Sequence, residues 1–226
     1  MGKVTILEVT KNPITKMGQY AGICWGTDTT DAIKNYKRGL DCLESGHNRV
    51  LEVVNIEIAI EGYSARFGRE WYTHIGCLPT RLQSSTRYVD YRNFEYVVPH
   101  TIEKNDEAKA LYNNLMINTR LGLERLEKLG IPREDCAYAL PLGMTTVIAD
   151  KRNLRNLIDM HHTRLCVRTL WEFREMLQDL DRQLTDVSDE WEYIVKNYFV
   201  PKCQVCGFCT EKHGCGKYPR KENNNG

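Results

Sequence analysis

No stretch of this chain approaches the ~20 consecutive apolar residues that a membrane-spanning helix requires. The most apolar one, Val50 to Ile60, is interrupted by Glu52, Asn55 and Glu57. Net charge is lacking too. Lys and Arg total 31 against 30 Asp and Glu, a formal +1, which argues against a protein that grips a long phosphate backbone by counterion release and leaves room for a single nucleotide. The opening residues MGKVTILEVTK hold no apolar signal segment, so the expected location is cytoplasmic. Internal repeats are absent, and the only low-complexity tract is Asn223-Asn224-Asn225. What is present is ordinary globular composition, 42% hydrophobic and 27% charged over 226 residues. A chain of this length can bury roughly 70% of its unfolded surface without disulfides or metal.

Cysteine is the exception to that ordinariness. Of nine, Cys24, Cys42, Cys77, Cys136 and Cys166 stand singly, whereas Cys203, Cys206, Cys209 and Cys215 crowd the last 24 residues. An odd total and a terminal cluster speak against a secreted disulfide framework and for a local metal site. The tail reads Cys-x2-Cys-x2-Cys-x5-Cys with His213 inside it. Four thiolates, or three and the imidazole, complete a tetrahedral zinc site; closely repeated Cys-x2-Cys pairs also ligate iron-sulfur clusters. Unligated reduced cysteines are the plain alternative. Lys202, Lys212, Lys217, Arg220 and Lys221 outnumber Glu211 and Glu222, so the tail is locally basic and can touch an anionic partner, nucleic acid included. A metal knob that fastens the C-terminus is preferred to nucleic-acid binding.

Hydrophobic periodicity sketches the rest. Residues 4–9 alternate as an opening strand, and Thr29-Thr30-Asp31 caps a helix carrying Ile33, Tyr36, Leu40 and Leu43, ended by Gly46. Val54, Ile56, Ile58 and Ile60 give the cleanest period-two pattern. After Ser64, Phe67 and Trp71 return to helical spacing until Gly76 to Pro79 breaks it. Tyr88 to Val98 is rich in aromatic and β-branched residues and predicts a strand ending at Pro99. Residues 105 to 129 predict a long amphipathic helix closed by Gly130, with Pro132 in the first turn of the next one. Leu140 to Ala149 contains a β-branched run, helical spacing is sustained from Asn153 to Leu184, and a last helix surrounds Trp191. Strands and helices without regular alternation predict an α+β fold with a mixed sheet and long helices. The expected division is a catalytic domain over 1–200 and a small metal-binding tail over 201–226.

Two segments carry chemistry. At about 100° per residue, Asn153, His161, Arg164 and Arg168 share one helix face, opposite Leu154, Ile158, Leu165, Phe173, Met176 and Leu180. Any solvated surface helix shows such a polar face; paired guanidiniums beside an imidazole also suit an anionic or carbonyl-bearing ligand. Thr80-Arg81-Leu82-Gln83-Ser84-Ser85-Thr86-Arg87 packs hydroxyls, an amide and two guanidiniums between a Gly/Pro loop and the expected strand. It is either a polar turn or a phosphate and sugar site.

Resemblance adds what spacing does not. Val50 to His74 (VLEVVNIEIAIEGYSARFGREWYTH), Ser84 to Val89 (SSTRYV), Leu140 to Thr146 (LPLGMTT) and Asn153 to Arg174 (NLRNLIDMHHTRLCVRTLWEFR) resemble, in order, four segments of the flavin-dependent thymidylate synthases. That resemblance implies a homotetramer with FAD held where subunits meet and dUMP beside it. It also implies methyl transfer from methylenetetrahydrofolate, with NADPH reducing the flavin, and no membrane partner. It matches Arg164 to the arginine that activates the uracil ring, where charge developing on the carbonyls needs a fixed cation. It places Gln83, Ser85 and Arg87 on dUMP, and His74, Arg81, Asn153, Arg155 and Arg168 on the flavin. Arg168 stands where the family often has His, and Val147 where some members have a further substrate Arg. Of the family's Arg-His-Arg signature only His74 has a counterpart, and the stretch from Thr73 to Pro79 is about two residues longer. Arg81 or Arg69 is the expected substitute for the missing cations. A diverged C5 pyrimidine-modifying enzyme, or a non-catalytic nucleotide- or nucleic-acid-binding protein on the same scaffold, is the alternative.

Overall fold

The computed structural model describes residues 2–220; Lys221, Glu222 and Asn223 to Asn225, invoked above for the tail, lie outside the described residues. In chain order the elements are β1 (Lys3–Val9), α1 (Pro13–Cys24), α2 (Ala32–Glu44), a 3-10 turn (Asn48–Val53), β2 (Asn55–Ser64), α3 (Ala65–Trp71), β3 (Thr80–Gln83), α4 (His100–Glu103), α5 (Asp106–Lys128), α6 (Arg133–Cys136), a second 3-10 turn (Ala137–Ala139), β4 (Thr145–Asn153), α7 (Leu154–Arg164), α8 (Trp171–Thr185), α9 (Asp189–Tyr198) and α10 (Lys202–Cys206). The class is α+β, as expected. The sheet, however, is antiparallel rather than mixed. Its order is β1-β2-β4-β3, and each pairing joins the end of one strand to the start of its neighbour. Thr10 N donates to Asn55 O at 3.0 Å, Leu154 N to Val54 O at 2.9 Å and Ser84 N to Val147 O at 2.9 Å. The period-two run of β2 buries Ile56, Ile58 and Ile60 to 1% exposure or less, since alternate side chains share one face of a strand.

The described residues divide into two compact units, one of residues 2–4, 59–73 and 81–149, the other of 5–58, 74–80 and 150–220. In the first, α5 is capped by Asn105, whose side chain accepts from Ala108 N at 3.0 Å. The helix turns Met116 and Leu123 onto Phe94, Cys136 and Met144. The strand expected over Tyr88 to Val98 does not form. Only Tyr96 bridges Met144, with Val97 N donating to Gly143 O at 2.9 Å and Thr145 N to Glu95 O at 2.8 Å, and side chains of α5 take the carbonyls of Phe94 and Val97. Arg120 donates to Phe94 O at 3.1 Å from Nε and 2.5 Å from Nη2, Tyr112 Oη donates to Val97 O at 3.1 Å, and Tyr96 Oη reaches Asn113 at 3.0 Å. Aromatic β-propensity yields to these tertiary bonds. Pro132 is the N-cap of α6 rather than a residue of its first turn.

The second unit holds α1, which the hydrophobic pattern missed; its signal was Pro13 at the first helical position. α1 and α2 approach so closely that a Cβ at Gly18 would fall 1.8 Å from Asn35 O, and one at Gly39 1.9 Å from Ile14 O. Asp31 caps α2 as expected, accepting from Ile33 N and Lys34 N at 2.9 and 3.1 Å. The continuous helix expected from Asn153 to Leu184 is two helices, α7 and α8, broken at 165–170. Arg174 makes the break possible by donating to the carbonyls of Val167 and Thr169, groups a break otherwise leaves without partners. Phe173, Met176, Leu177 and Leu180 then bury one face of α8 completely. Among the described residues no helix is long and apolar enough to cross a membrane.

Candidate active site

The site in the second unit is built from the end of β4. Along that strand Thr146, Ile148, Asp150 and Arg152 alternate inward. Arg152 and Asp150 are fully buried and pair through both oxygens, Nε to Oδ1 at 2.6 Å and Nη2 to Oδ2 at 2.5 Å. Burying two charges costs several kcal/mol each unless the geometry is close and the remaining donors are used. Here they are used: Arg152 Nη1 donates to Asn156 Oδ1 at 2.6 Å, and Asn156 Nδ2 donates to Gly76 O at 2.6 Å. Asn153 caps α7 by accepting from Asn156 N at 3.0 Å, and its Nδ2 donates to Cys77 O at 3.4 Å. These bonds pin the loop after His74 in an unusual shape, with Cys77 and Leu78 both in the left-handed region at φ 56° and 50°. Non-glycine residues adopt that region at a cost and persist there only when their surroundings hold them.

His74 begins that loop and meets Arg164 from the last turn of α7. Arg164 Nε donates to His74 Nε2 at 2.7 Å, its guanidinium carbon lies 5.1 Å from the Phe173 ring centroid, and the His74 and Phe173 rings meet edge to face at 5.6 Å. Burial, then the adjacent Arg164 and Arg152 cations, hold the imidazole down at about 4. It is neutral at physiological pH, with Nε2 free of a proton to accept. The result is a half-buried guanidinium, fixed on its Nε edge by His74 and over its π face by Phe173.

The other expected residues fall as follows. Arg155 pairs with Glu52 at 2.7 Å, and that bond holds the Glu52 carboxyl below its usual range. Arg168 is not on the helix face with Arg164; it lies in the break between α7 and α8, pairs with Glu211 at 3.2 Å and donates to His213 O at 3.4 Å. His161, read with that face, is buried in the core. Its ring nitrogens meet Leu157 O at 2.6 Å and Asp181 Oδ1 at 2.8 Å, and it stacks on Phe199 at 3.8 Å. The break after α7 displaces Arg168, whereas His161 lies within α7 itself and is drawn into the core by Leu157, Asp181 and Phe199. In the first unit, Ser85 and Arg87 share one turn, Ser85 Oγ accepting from Arg87 N at 3.3 Å. Gln83 Nε2 donates to Thr146 Oγ1 at 3.1 Å. Arg81 folds back over Tyr72, 4.5 Å from the ring centroid, and donates to Tyr72 O at 2.6 Å.

The sequence profile of the family described as "Thymidylate synthase complementing protein" matches residues 5–188. The chain belongs to that family. Its relatives include a flavin-dependent thymidylate synthase of Pyrococcus furiosus, 28% identical over 237 residues, 98% of this chain and 96% of that protein. Another of the same name, from Nitratidesulfovibrio vulgaris, is 28% identical over 211 residues, 88% of this chain and 84% of that one. Thymidylate synthase X of Helicobacter pylori, solved with FAD and dUMP, shares the fold at a TM-score of 0.67 and 20% identity, covering 88% of this chain and 99% of the other.

The matched residues 5–188 stop short of the tail, whose cysteines form no disulfide. The ready-made ligand set expected from Cys203, Cys206, Cys209 and Cys215 is not assembled: among the described residues, no three His, Cys, Asp or Glu side chains are gathered to hold a metal. Sequence reasoning missed Phe173 as a site residue and the Asp150-Arg152-Asn156 network. The second had a signal, since period two puts Asp150 and Arg152 on the same buried face of β4 as Ile148.

Proposed function

We propose that the protein is a flavin-dependent thymidylate synthase, converting dUMP to dTMP with methylenetetrahydrofolate as one-carbon donor and NADPH as reductant. The observation that carries the reading is the Arg164 guanidinium, held on Nε by a neutral His74 2.7 Å away. Uracil C5 is a weak nucleophile, and attack loads negative charge onto the ring carbonyls; a preorganised cation stabilises that charge without reorganising. His74 positions Arg164 through its Nε edge, and Phe173 restricts its rotation. Ser85 and Arg87, adjacent in one exposed turn, suit the dUMP phosphate and sugar, with Gln83 beside them.

The donor chemistry also fits FAD. Arg81, Arg155 and Arg168 each have guanidinium N–H groups beyond those engaged by Tyr72, Glu52, Glu211 and His213. They stand as the cations for flavin phosphates, with Asn153 and His74 as further contacts. Bound flavin, once reduced, supplies the hydride that completes the methyl group. Four large apolar residues of α5, Leu111, Leu115, Ile117 and Leu121, are 46–62% exposed on the side away from Met116 and Leu123. Such a face supports a homotetramer. In this reading 1–200 act as one catalytic domain in the cytoplasm, with 201–226 as an appended tail.

Tritium release from C5-labelled dUMP, measured anaerobically with FAD, NADPH and methylenetetrahydrofolate, tests the proposal. Turnover that falls by about 10²–10³ in Arg164→Ala is expected. Absence of turnover with FAD bound would overturn the reaction, and undiminished turnover in Arg164→Ala would overturn the role of Arg164.

A further inference from the structure

A cavity of about 310 Å³ in the second unit is lined by Cys166, Cys203, Cys209 and Cys215, with His162 and Arg168 on the same wall. Three of these thiols come from the tail; the fourth, Cys166, comes from the break between α7 and α8. Cys206 is exposed and does not line the cavity. The chain turns tightly around the tail thiols. Cys203 sits in the short helix α10, which Gly207 ends at φ 76°. Cys209 N donates to Pro219 O at 2.7 Å, and Cys209 bridges Arg220, so the tail doubles back on itself. A Cβ at Gly214 would lie 3.3 Å from Cys209 Sγ, and Gly216, directly after Cys215, has φ 84°. At two Cys-Gly steps, Cys206-Gly207 and Cys215-Gly216, the glycine after the cysteine turns left-handed, a conformation that glycine adopts without strain.

We propose that this wall is a mononuclear zinc site whose ligands are the thiolates of Cys203, Cys209, Cys215 and Cys166. This set is not the run of four tail cysteines that the spacing suggests. It replaces exposed Cys206 with a residue of the catalytic unit, so the ion ties the tail to the segment following Arg164. Four thiolates around one divalent ion leave a charge of −2, and Lys202 and Lys217 line the same cavity to offset it, while Arg168 is paired there with Glu211. The Cys-x2-Cys-x2-Cys pattern of an iron-sulfur cluster needs its middle cysteine, and here that residue stands outside. The thiols surround the cavity without being drawn together, so binding closes the loop 209–220 on the ion, and part of the folding free energy of the tail comes from the metal.

The full-length protein, purified under reducing conditions without chelator, tests this by elemental analysis and by the charge-transfer absorption of a cobalt-substituted sample. The expected result is about one zinc per chain, retained in Cys206→Ser and His162→Gln and reduced about tenfold or more in Cys166→Ser and Cys203→Ser. Cobalt absorption should correspond to four thiolates. Alkylation of the wild-type protein with and without chelator avoids dependence on variant folding. Zinc should protect Cys166, Cys203, Cys209 and Cys215 while Cys206 reacts. Loss of metal in Cys206→Ser with retention in Cys166→Ser overturns the ligand set in favour of the tail run, and loss only in His162→Gln overturns it in favour of the imidazole. Iron with acid-labile sulfide, or no metal even after zinc reconstitution, overturns the site.

Discussion

Arg164→Ala tests whether the arginine and His74 act as a pair. The substitution removes a cation 2.7 Å from His74 Nε2, and burial, Arg164 and Arg152 together hold that imidazole at about 4 against an ordinary 6.5. Two unit charges about 4 Å apart interact by about 4 kcal/mol at an effective dielectric near 20. His74 is half-buried, so screening leaves about a third of this in effect, roughly 1–2 kcal/mol, which raises the imidazole toward its ordinary range in the variant while burial still holds it down. At pH 7 the variant loses a charge-assisted hydrogen bond and the contact with Phe173, offset by relief of a partly desolvated guanidinium; the net cost should be about 1–2 kcal/mol. Linkage fixes the sign for the wild type. His74 is depressed in the folded state, so its contribution is full above pH 6.5 and is lost as pH falls through the window down to about 4. That loss is about 2 kcal/mol after screening, and smaller in the variant. NMR titration resolves the 6 histidines, with His74→Gln assigning the resonance, and urea unfolding across pH gives the stabilities. A His74 that titrates near 6.5 in the wild type, or at the same pH in both proteins, would refute the pairing.

Asp150→Asn should destabilise by about 3–5 kcal/mol in urea unfolding, because it leaves the fully buried Arg152 without its counter-charge. It should also make Cys77 more reactive toward thiol reagents as the loop loses its anchor. Gly18→Ala should cost more than about 2 kcal/mol, since the new Cβ meets a backbone carbonyl 1.8 Å away. Gly122→Ala, where nothing lies within 4 Å, should stabilise α5 by about 0.5–1 kcal/mol; thermal unfolding separates the two. Ser85→Ala and Arg87→Ala should each raise the Kd for dUMP about tenfold, with urea midpoints unchanged to within about 0.5 kcal/mol, as measured by calorimetry and unfolding.

Elements governed by local chemistry were legible. β2 announced itself by period two, α2 by its Asp31 cap, and α5 by its amphipathic spacing and the Gly130 turn, because each signal acts within a few residues. Short motifs named Ser85, Arg87 and Arg164 as candidates residue by residue, whereas partners that come from elsewhere in the chain left no such signal. Nothing near Tyr88 to Val98 reveals that Arg120 and Tyr112 will take its carbonyls, and nothing near Val167 reveals that Arg174 will satisfy a helix break.

Residue types alone therefore determined which chemistry this chain can hold: a guanidinium at 164, an imidazole at 74, hydroxyl and cation side by side at 85 and 87, thiols in the tail. Only tertiary structure decided how they are used. It removed His161 to the core against Asp181, and it pressed His74 against Arg164 and Phe173 so that the imidazole stays neutral. It also set Cys166, rather than Cys206, on the wall shared by the tail thiols. The physical reason is common to all three: burial and the approach of distant charges set protonation and partnership, and both arise from contacts between residues far apart in the chain.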